Sequence, residues 1–140
     1  MKVRIINGPN LNKLGKRDEK IYGSLTLKAI NAGLVKEFPS AVLDFFQSNI
    51  EGELVNFIQD DENYDALVIN AGAYSHYSYA IRDALECVKK PKIEVHLSNI
   101  YARDEFRHNS VISAVCNGSI CGFGKDSYVL AIQYLIRAAA

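Results

Sequence analysis

Three cysteines, none of them in a C-x-x-C pair, leave this chain without a disulfide framework or a common zinc site. Cys87, Cys116 and Cys121 are therefore expected to be small buried apolar residues. No sign of charge dominates: 16 basic residues cancel 16 acidic ones, so no overall field gathers nucleic acid or an anionic membrane. Any anion must be bound locally. Apolar residues make up 49% of the 140, yet never run unbroken for the roughly 18 residues of a membrane span. Met1-Lys2-Val3-Arg4 leads into a strand pattern rather than a signal peptide, so cytoplasm is the expected compartment. With no linker, low-complexity stretch or repeat, residues 1–140 are expected to form one domain with its own core. Several chemistries are missing too. There is no G-x-S-x-G elbow for a Ser-His-Asp hydrolase. No GxxxxGK[ST] loop cradles phosphate, and Gly122-Phe123-Gly124 is only a fragment of GxGxxG, placed after the last strand. His76, His96 and His108, 20 and 12 residues apart, match no standard metal spacing, so no metal is expected.

What the chain does contain is alternation of short apolar runs with helical patterns. Segments 3–6, 41–46, 66–69, 92–97 and 119–122 read as strands, rich in β-branched and aromatic residues. Between them, Leu27, Ile30 and Leu34 repeat at helical spacing before Pro39; Leu54, Phe57 and Ile58 do so behind a Ser48-x-x-Glu51 capping box, with Glu51 and Glu53 favoured by the helix dipole. A further helix carries Ala80, Ile81, Ala84, Leu85 and Val88. The last starts after Asp126 and buries Val129, Ile132, Leu135 and Ile136. Five strands joined by right-handed crossovers give an α/β, flavodoxin-like three-layer sandwich around a five-stranded parallel sheet.

In such sheets ligands bind beyond the carboxyl ends of the strands, and the unusual residues of this chain collect there. The first strand is followed by a polar loop of about sixteen residues, a candidate lid over about 10–23 that carries Arg17 and Tyr22. Asn70 and His76 follow the third strand. On the fourth, Ile93, Val95 and Leu97 face one way while Glu94, His96 and Ser98 face the other, with Arg103 and Arg107 just beyond. Burying Glu and His without a partner is costly, so this face must pair or work. General acid and base chemistry on a small anion fits the inventory. Nearby guanidinium charge favours a phenolate, so Tyr22 could take a carbon-bound proton while His96 gives one to a leaving hydroxyl. Taken alone, Tyr22 is better read as a lid residue packing its ring on the rim. Tyr74, Tyr77 and Tyr79 are read as interface or core packing, and His108 as structural. A flavin-binding electron carrier on the same fold is the rival, but it would need a first loop rich in Ser, Thr and Gly.

The order of motifs changes that balance. Asn7-Gly8-Pro9-Asn10-Leu11-Asn12, then Arg17 and Tyr22-Gly23, Gln47-Ser48-Asn49, Asn70-Ala71-Gly72-Ala73 with Ser75-His76, Ile81-Arg82-Asp83-Ala84, and Glu94-Val95-His96-Leu97-Ser98-Asn99 through Phe106-Arg107-His108 together resemble the type II 3-dehydroquinate dehydratases over nearly the whole chain. The resemblance implies reversible dehydration of 3-dehydroquinate to 3-dehydroshikimate through an enolate, with neither metal nor organic cofactor, in aromatic biosynthesis or quinate breakdown. It implies Tyr22 as base and His96 as proton donor, with Arg17 activating the tyrosine and Asn10 holding a water near the enolate oxygen. Asn70, His76 and Arg107 would grip ring hydroxyls, and Leu97 and Ser98 would cradle the carboxylate. Asp83 would reach a neighbouring subunit's site in a dodecamer built from trimers; Glu94 and Arg103 would support. Two departures stand out: proline is common two residues after the lid arginine, where this chain has Glu19, and threonines are frequent where it has Ser75 and Tyr77. The first bears on lid stiffness, the second on how His76 is supported.

Overall fold

Val3, Ile5 and Ile6 are fully buried, which puts the first strand, β1 (Lys2–Asn7), inside the sheet rather than at its edge. The computed structural model describes residues 1–140. Around β1 stand β2 (Val42–Gln47), β3 (Ala66–Asn70), β4 (Lys92–His96) and β5 (Gly118–Cys121), all parallel, in the order β2-β1-β3-β4-β5. Every residue of β3 and β4 is buried, as expected of central strands covered on both faces, whereas edge strands β2 and β5 are partly open.

Strand alternation sorts side chains into two cores. Val3, Ile5, Val68, Ile93, Val95 and Leu97 pack beneath Ile30 and Leu34 of α2 (Leu27–Glu37) and Tyr128, Ile132 and Leu135 of α5 (Asp126–Ala139). On the other face, Ile6, Leu67 and Ile69 meet Leu54 and Ile58 of α3 (Glu51–Gln59) and Ile81 and Leu85 of α4 (Tyr79–Cys87). Arg4 shares that second face and is 3% exposed; it donates to Asp44, to Asp60 and to the Phe57 carbonyl, tying β1, β2 and α3 together. The remaining helix, α1 (Glu19–Tyr22), is a single turn inside the long first loop, capped by the Asp18 side chain accepting from Lys20 N.

Strands are added on one side of β1 with β2 and on the other from β3 onward, so the winding reverses between β1 and β3, and the loops leaving those strands touch. Gly8 N donates to the Asn70 carbonyl at 2.7 Å, and a Cβ on Gly8 would stand 2.4 Å from the Ala71 carbonyl oxygen, so only glycine fits. Gly72 adopts φ 60° against Pro9 for the same crossing.

Several expectations need correction. Ser48 and Glu51 form no capping box: Ile50 is the N-cap, Ser48 Oγ accepts from Ile50 N and donates to Glu53, and Glu51 receives Ser78 Oγ–H at 2.6 Å. Ser48 is held in the preceding turn because its own N–H bonds the Asn7 carbonyl, two residues too early to cap. The cysteines are not uniformly buried. Cys87 ends α4 on its outward side and is exposed, and Cys116 and Cys121 are half-buried; burial, helped by the Glu94 charge, pushes the Cys116 thiol up to about 12. Of the interface or core packing expected for the tyrosines, the core alternative falls for Tyr77 and Tyr79, which are 58% and 69% exposed. The long first loop keeps its place at the rim, with Leu11 and Leu14 anchoring it in the first core and α1 presenting Tyr22.

Candidate active site

The fully buried carboxylate of Glu94 fixes one wall of the cleft over β1, β3 and β4. A carboxylate can only accept, so the 2.8 Å contact between Glu94 Oε2 and His96 Nε2 places a hydrogen on Nε2. His96 Nδ1 has no protein partner and is left to the cleft. Burial by itself would raise the Glu94 carboxyl. The hydrogen bond from His96, the charge of that ring, and the hydroxyls of Ser110 and Ser113 outweigh burial and hold the carboxyl below its ordinary value.

His76 lies beside His96, their rings stacked at 6.1 Å, yet its surroundings are opposite in kind. Its Nδ1 is 2.8 Å from the Asn109 carbonyl, again an acceptor only, so Nδ1 carries the hydrogen and Nε2 keeps a lone pair. Burial lowers its pKa, and the charges of His96 and Arg107 add to that against the Asn109 hydrogen bond. A neutral His76 accepts a hydrogen bond from a hydroxyl; it does not supply charge.

Across the cleft, α1 brings Tyr22 to two guanidinium groups. Arg17 Nη2 donates to Tyr22 Oη at 2.8 Å, and the Arg17 guanidinium carbon lies 3.8 Å from the ring centroid. Arg103 stands 5.0 Å from the same centroid and extends Nη1 to 3.4 Å from Ser98 Oγ. The second arginine at Tyr22 is thus Arg103, while Arg107 turns its Nε inward, buried and without a protein acceptor. Near Arg103, the backbone N–H groups of Leu97 and Ser98 have no protein acceptor either, because β4 ends at His96 and its ladder stops there. Unpaired amides, a hydroxyl and a guanidinium on one short segment suit a carboxylate.

Asn70, at the end of β3, is held from behind. Its Nδ2 donates to Tyr128 Oη at 2.9 Å, its Oδ1 accepts from Gly72 N at 3.2 Å, and the Tyr128 hydroxyl donates in turn to Asn7 Oδ1. Asn10 takes φ 69° at the start of the lid, its N–H on Asn49 Oδ1 at 3.0 Å, with Gln47 bracing the Gly8 carbonyl. The Gln47-Ser48-Asn49 run therefore supports the first loop from the end of β2.

Ten of the twelve residues singled out from the sequence line one cleft: Asn10, Arg17, Tyr22, Asn70, His76, His96, Leu97, Ser98, Arg103 and Arg107. Glu94 lies beneath His96. Asp83 does not join them; it stands on α4, 71% exposed, beside Arg82 at 3.2 Å. Sequence reasoning missed Ser110, Ser113 and Asn109, which sit in an unpatterned polar stretch, and the Asn7–Tyr128 link, whose partners lie 121 residues apart. Apolar Ile100 also lines the cleft and carried no signal. An acceptor-lined wall, a cation-flanked phenol and an anion cradle around one small space can remove one proton, return another and hold a carboxylate meanwhile.

Residues 1–136 match the family model described as dehydroquinase class II. A 3-dehydroquinate dehydratase of Chlorobaculum tepidum is 51% identical over 135 residues, 94% of this chain and 91% of that protein, and one of Bacillus subtilis is 51% identical over 136 residues with the same coverage. The crystal structure of a type II dehydroquinase from Butyrivibrio crossotus superposes with a TM-score of 0.95 at 48% identity, covering 97% of each chain.

Proposed function

Because the chain belongs to the class II dehydroquinase family, and its reaction is the elimination of water from 3-dehydroquinate, we propose that Tyr22 and His96 divide the two proton transfers of that reaction between them. Tyr22, as phenolate, takes the proton on the carbon beside the ring ketone, leaving an enolate. His96 then gives the Nδ1 proton to the hydroxyl on the next carbon, so that it departs as water and the double bond forms. The observation that carries this reading is the 2.8 Å hydrogen bond from Arg17 to the Tyr22 oxygen, within the same cleft as a histidine backed by a carboxylate. A guanidinium there stabilises negative charge on the phenol oxygen, and Arg103 adds a second cation.

Substrate grip follows from donor type. The Leu97 and Ser98 amides with the Ser98 hydroxyl receive the carboxylate, the unpaired Arg107 Nε and the Asn70 amide receive ring hydroxyls, and His76 Nε2 accepts from one. Asn10 holds a water at the enolate oxygen, where a preformed donor contributes most. Residues 10–23 close as a lid, since Arg17 and Tyr22 must come over a substrate that enters from outside. Asp83 faces away from the cleft of its own chain and serves a neighbouring subunit's site, in a dodecamer of trimers. The compartment is cytoplasm; no helix is long and apolar enough to cross a membrane.

Formation of the conjugated enone from dehydroquinate, followed in the ultraviolet, tests the assignment. Tyr22→Phe and His96→Ala should each remove most turnover while circular dichroism stays native. Near wild-type turnover in either variant refutes the role given to that residue.

A further inference from the structure

Glu94 is a fully buried carboxylate with no arginine or lysine among its hydrogen-bond partners. His96 Nε2 and Ser110 Oγ, the latter at 2.7 Å, both donate to Oε2, and Ser113 Oγ donates to Oε1. Ser110 Oγ in turn accepts from Ile112 N and Ser113 N, at 3.3 Å each, which turns its own hydrogen towards the carboxylate. Both serines ride on a short strap, residues 109–113, pinned by Val111 N on the Ser75 carbonyl at 2.8 Å and by the fully buried side chain of Ile112. Its first residue, Asn109, is the one whose carbonyl holds His76.

We propose that Ser110 and Ser113 are positioning residues for the proton donor, whose hydroxyls fix the Glu94 carboxylate in the one orientation that receives His96 Nε2–H and turns Nδ1 to the substrate. The inference rests on His96 being the donor. Its logic is elimination among the groups that face Glu94. His96 adjoins it on β4, and His76 faces it from the segment after β3 but spends its Nδ1–H on Asn109. Cys116, three residues beyond the strap, is a thiol that the Glu94 charge helps to keep protonated. Lys92, on the same strand, gives its Nζ to the Val88 carbonyl at 2.7 Å, and Arg107 acts on His76. Apart from His96 itself, which does most to balance the carboxylate, only the two serines donate to it, and an unbalanced buried carboxylate takes up a proton. Protonated Glu94 would share its proton with His96 and leave a neutral imidazole, a far weaker acid, facing the leaving hydroxyl.

Titration of Glu94 by carbon-13 NMR of its side-chain carboxyl, in the full-length protein, reads this directly. Loss of one donor to a charged group should move the Glu94 midpoint upward by about one pH unit in Ser113→Ala or Ser110→Ala. In the same variants kcat should fall about tenfold with KM nearly unchanged, because the serines touch no substrate. Ser113→Thr, which keeps the hydroxyl, should restore both. A native Glu94 midpoint in both folded alanine variants overturns the proposal, and so does a fall in kcat that threonine cannot rescue. A retained rate in His96→Ala instead removes the donor assignment and leaves the Glu94 titration to decide what the serines do.

Discussion

Replacing Tyr128 by phenylalanine deletes one oxygen atom and strands two buried amides at once. The Tyr128 hydroxyl accepts from Asn70 Nδ2 at 2.9 Å and donates to Asn7 Oδ1, and these three residues are 1%, 3% and 0% exposed. The hydroxyl they share lies in the core and does not line the cleft, so no water takes its place and neither amide regains a partner there. Asn7 Nδ2 already lacks one. Each stranded polar group costs about 1–3 kcal/mol, and the lost hydroxyl no longer needs desolvation, so a net loss of about 2–4 kcal/mol follows. At about 2.1 cal/mol/K of unfolding entropy per residue, a chain of this length should lose about 7–14 °C in Tm. Function should change as well, because Asn70 is the one member of this network that faces the cleft. Freed from Tyr128, its amide can rotate, and KM should rise roughly tenfold, the worth of one substrate hydrogen bond, with kcat close to native. Scanning calorimetry at fixed protein concentration and steady-state kinetics read the two effects. A Tyr128→Phe protein with native Tm and native KM would refute the claim that this buried triad sets Asn70; a lower Tm with unchanged KM would confine it to the core.

Two further outcomes follow from the cleft. Arg17→Ala removes the 2.8 Å donor to Tyr22, a charged hydrogen bond of about 1.5–3 kcal/mol, so kcat should fall about ten- to a hundredfold with KM within a fewfold of native; a KM that collapses while kcat survives would refute the role given to Arg17. His76 has a folded pKa below its ordinary 6.5, so below that pH the unfolded chain binds more protons and stability is lost as pH falls through 6.5. His76→Asn should remove this part of the slope, and urea unfolding at pH 7 and pH 5 should show a smaller loss than in the native protein; an equal loss would mean that His76 is not held neutral.

Strand positions were legible because their determinants are local. The alternation at Ile93, Val95 and Leu97 places Glu94 and His96 on one face whatever the rest of the chain does, and all five strands stand within a residue or two of their expected ends. Cleft residues on strand ends were legible for the same reason. Support for them was not, because it comes from far along the chain: Ser113 reaches Glu94 across 19 residues, and Tyr128 reaches Asn7 across 121. Local pattern also misled where tertiary contacts compete. Ser48 has the right spacing for a capping box, but its N–H is already given to Asn7, so Glu51 is released to bind Ser78. Cys87 follows the composition rule for buried cysteine less than it follows its place on the outer side of α4.

The two histidines show why residue type alone assigns no role. His76 and His96 lie 6.1 Å apart with rings nearly parallel, and each gives one N–H to a single acceptor, an exposed backbone carbonyl for His76 and a buried carboxylate for His96. The acceptors differ by one unit of charge. A backbone carbonyl behind His76 fixes the ring without stabilising a cation, so burial and its charged neighbours keep it neutral and it can only accept from substrate. A carboxylate behind His96 offsets positive charge on the ring, so the same side chain can carry the proton that leaves with water. That difference originates in position on the chain: residue 94, two before His96 on a strand, shares its face and can be an acid, whereas the hydrogen-bond partner of His76 comes from the strap at 109, 33 residues along the chain. Exchange of the two roles would therefore require moving the carboxylate, not the histidine.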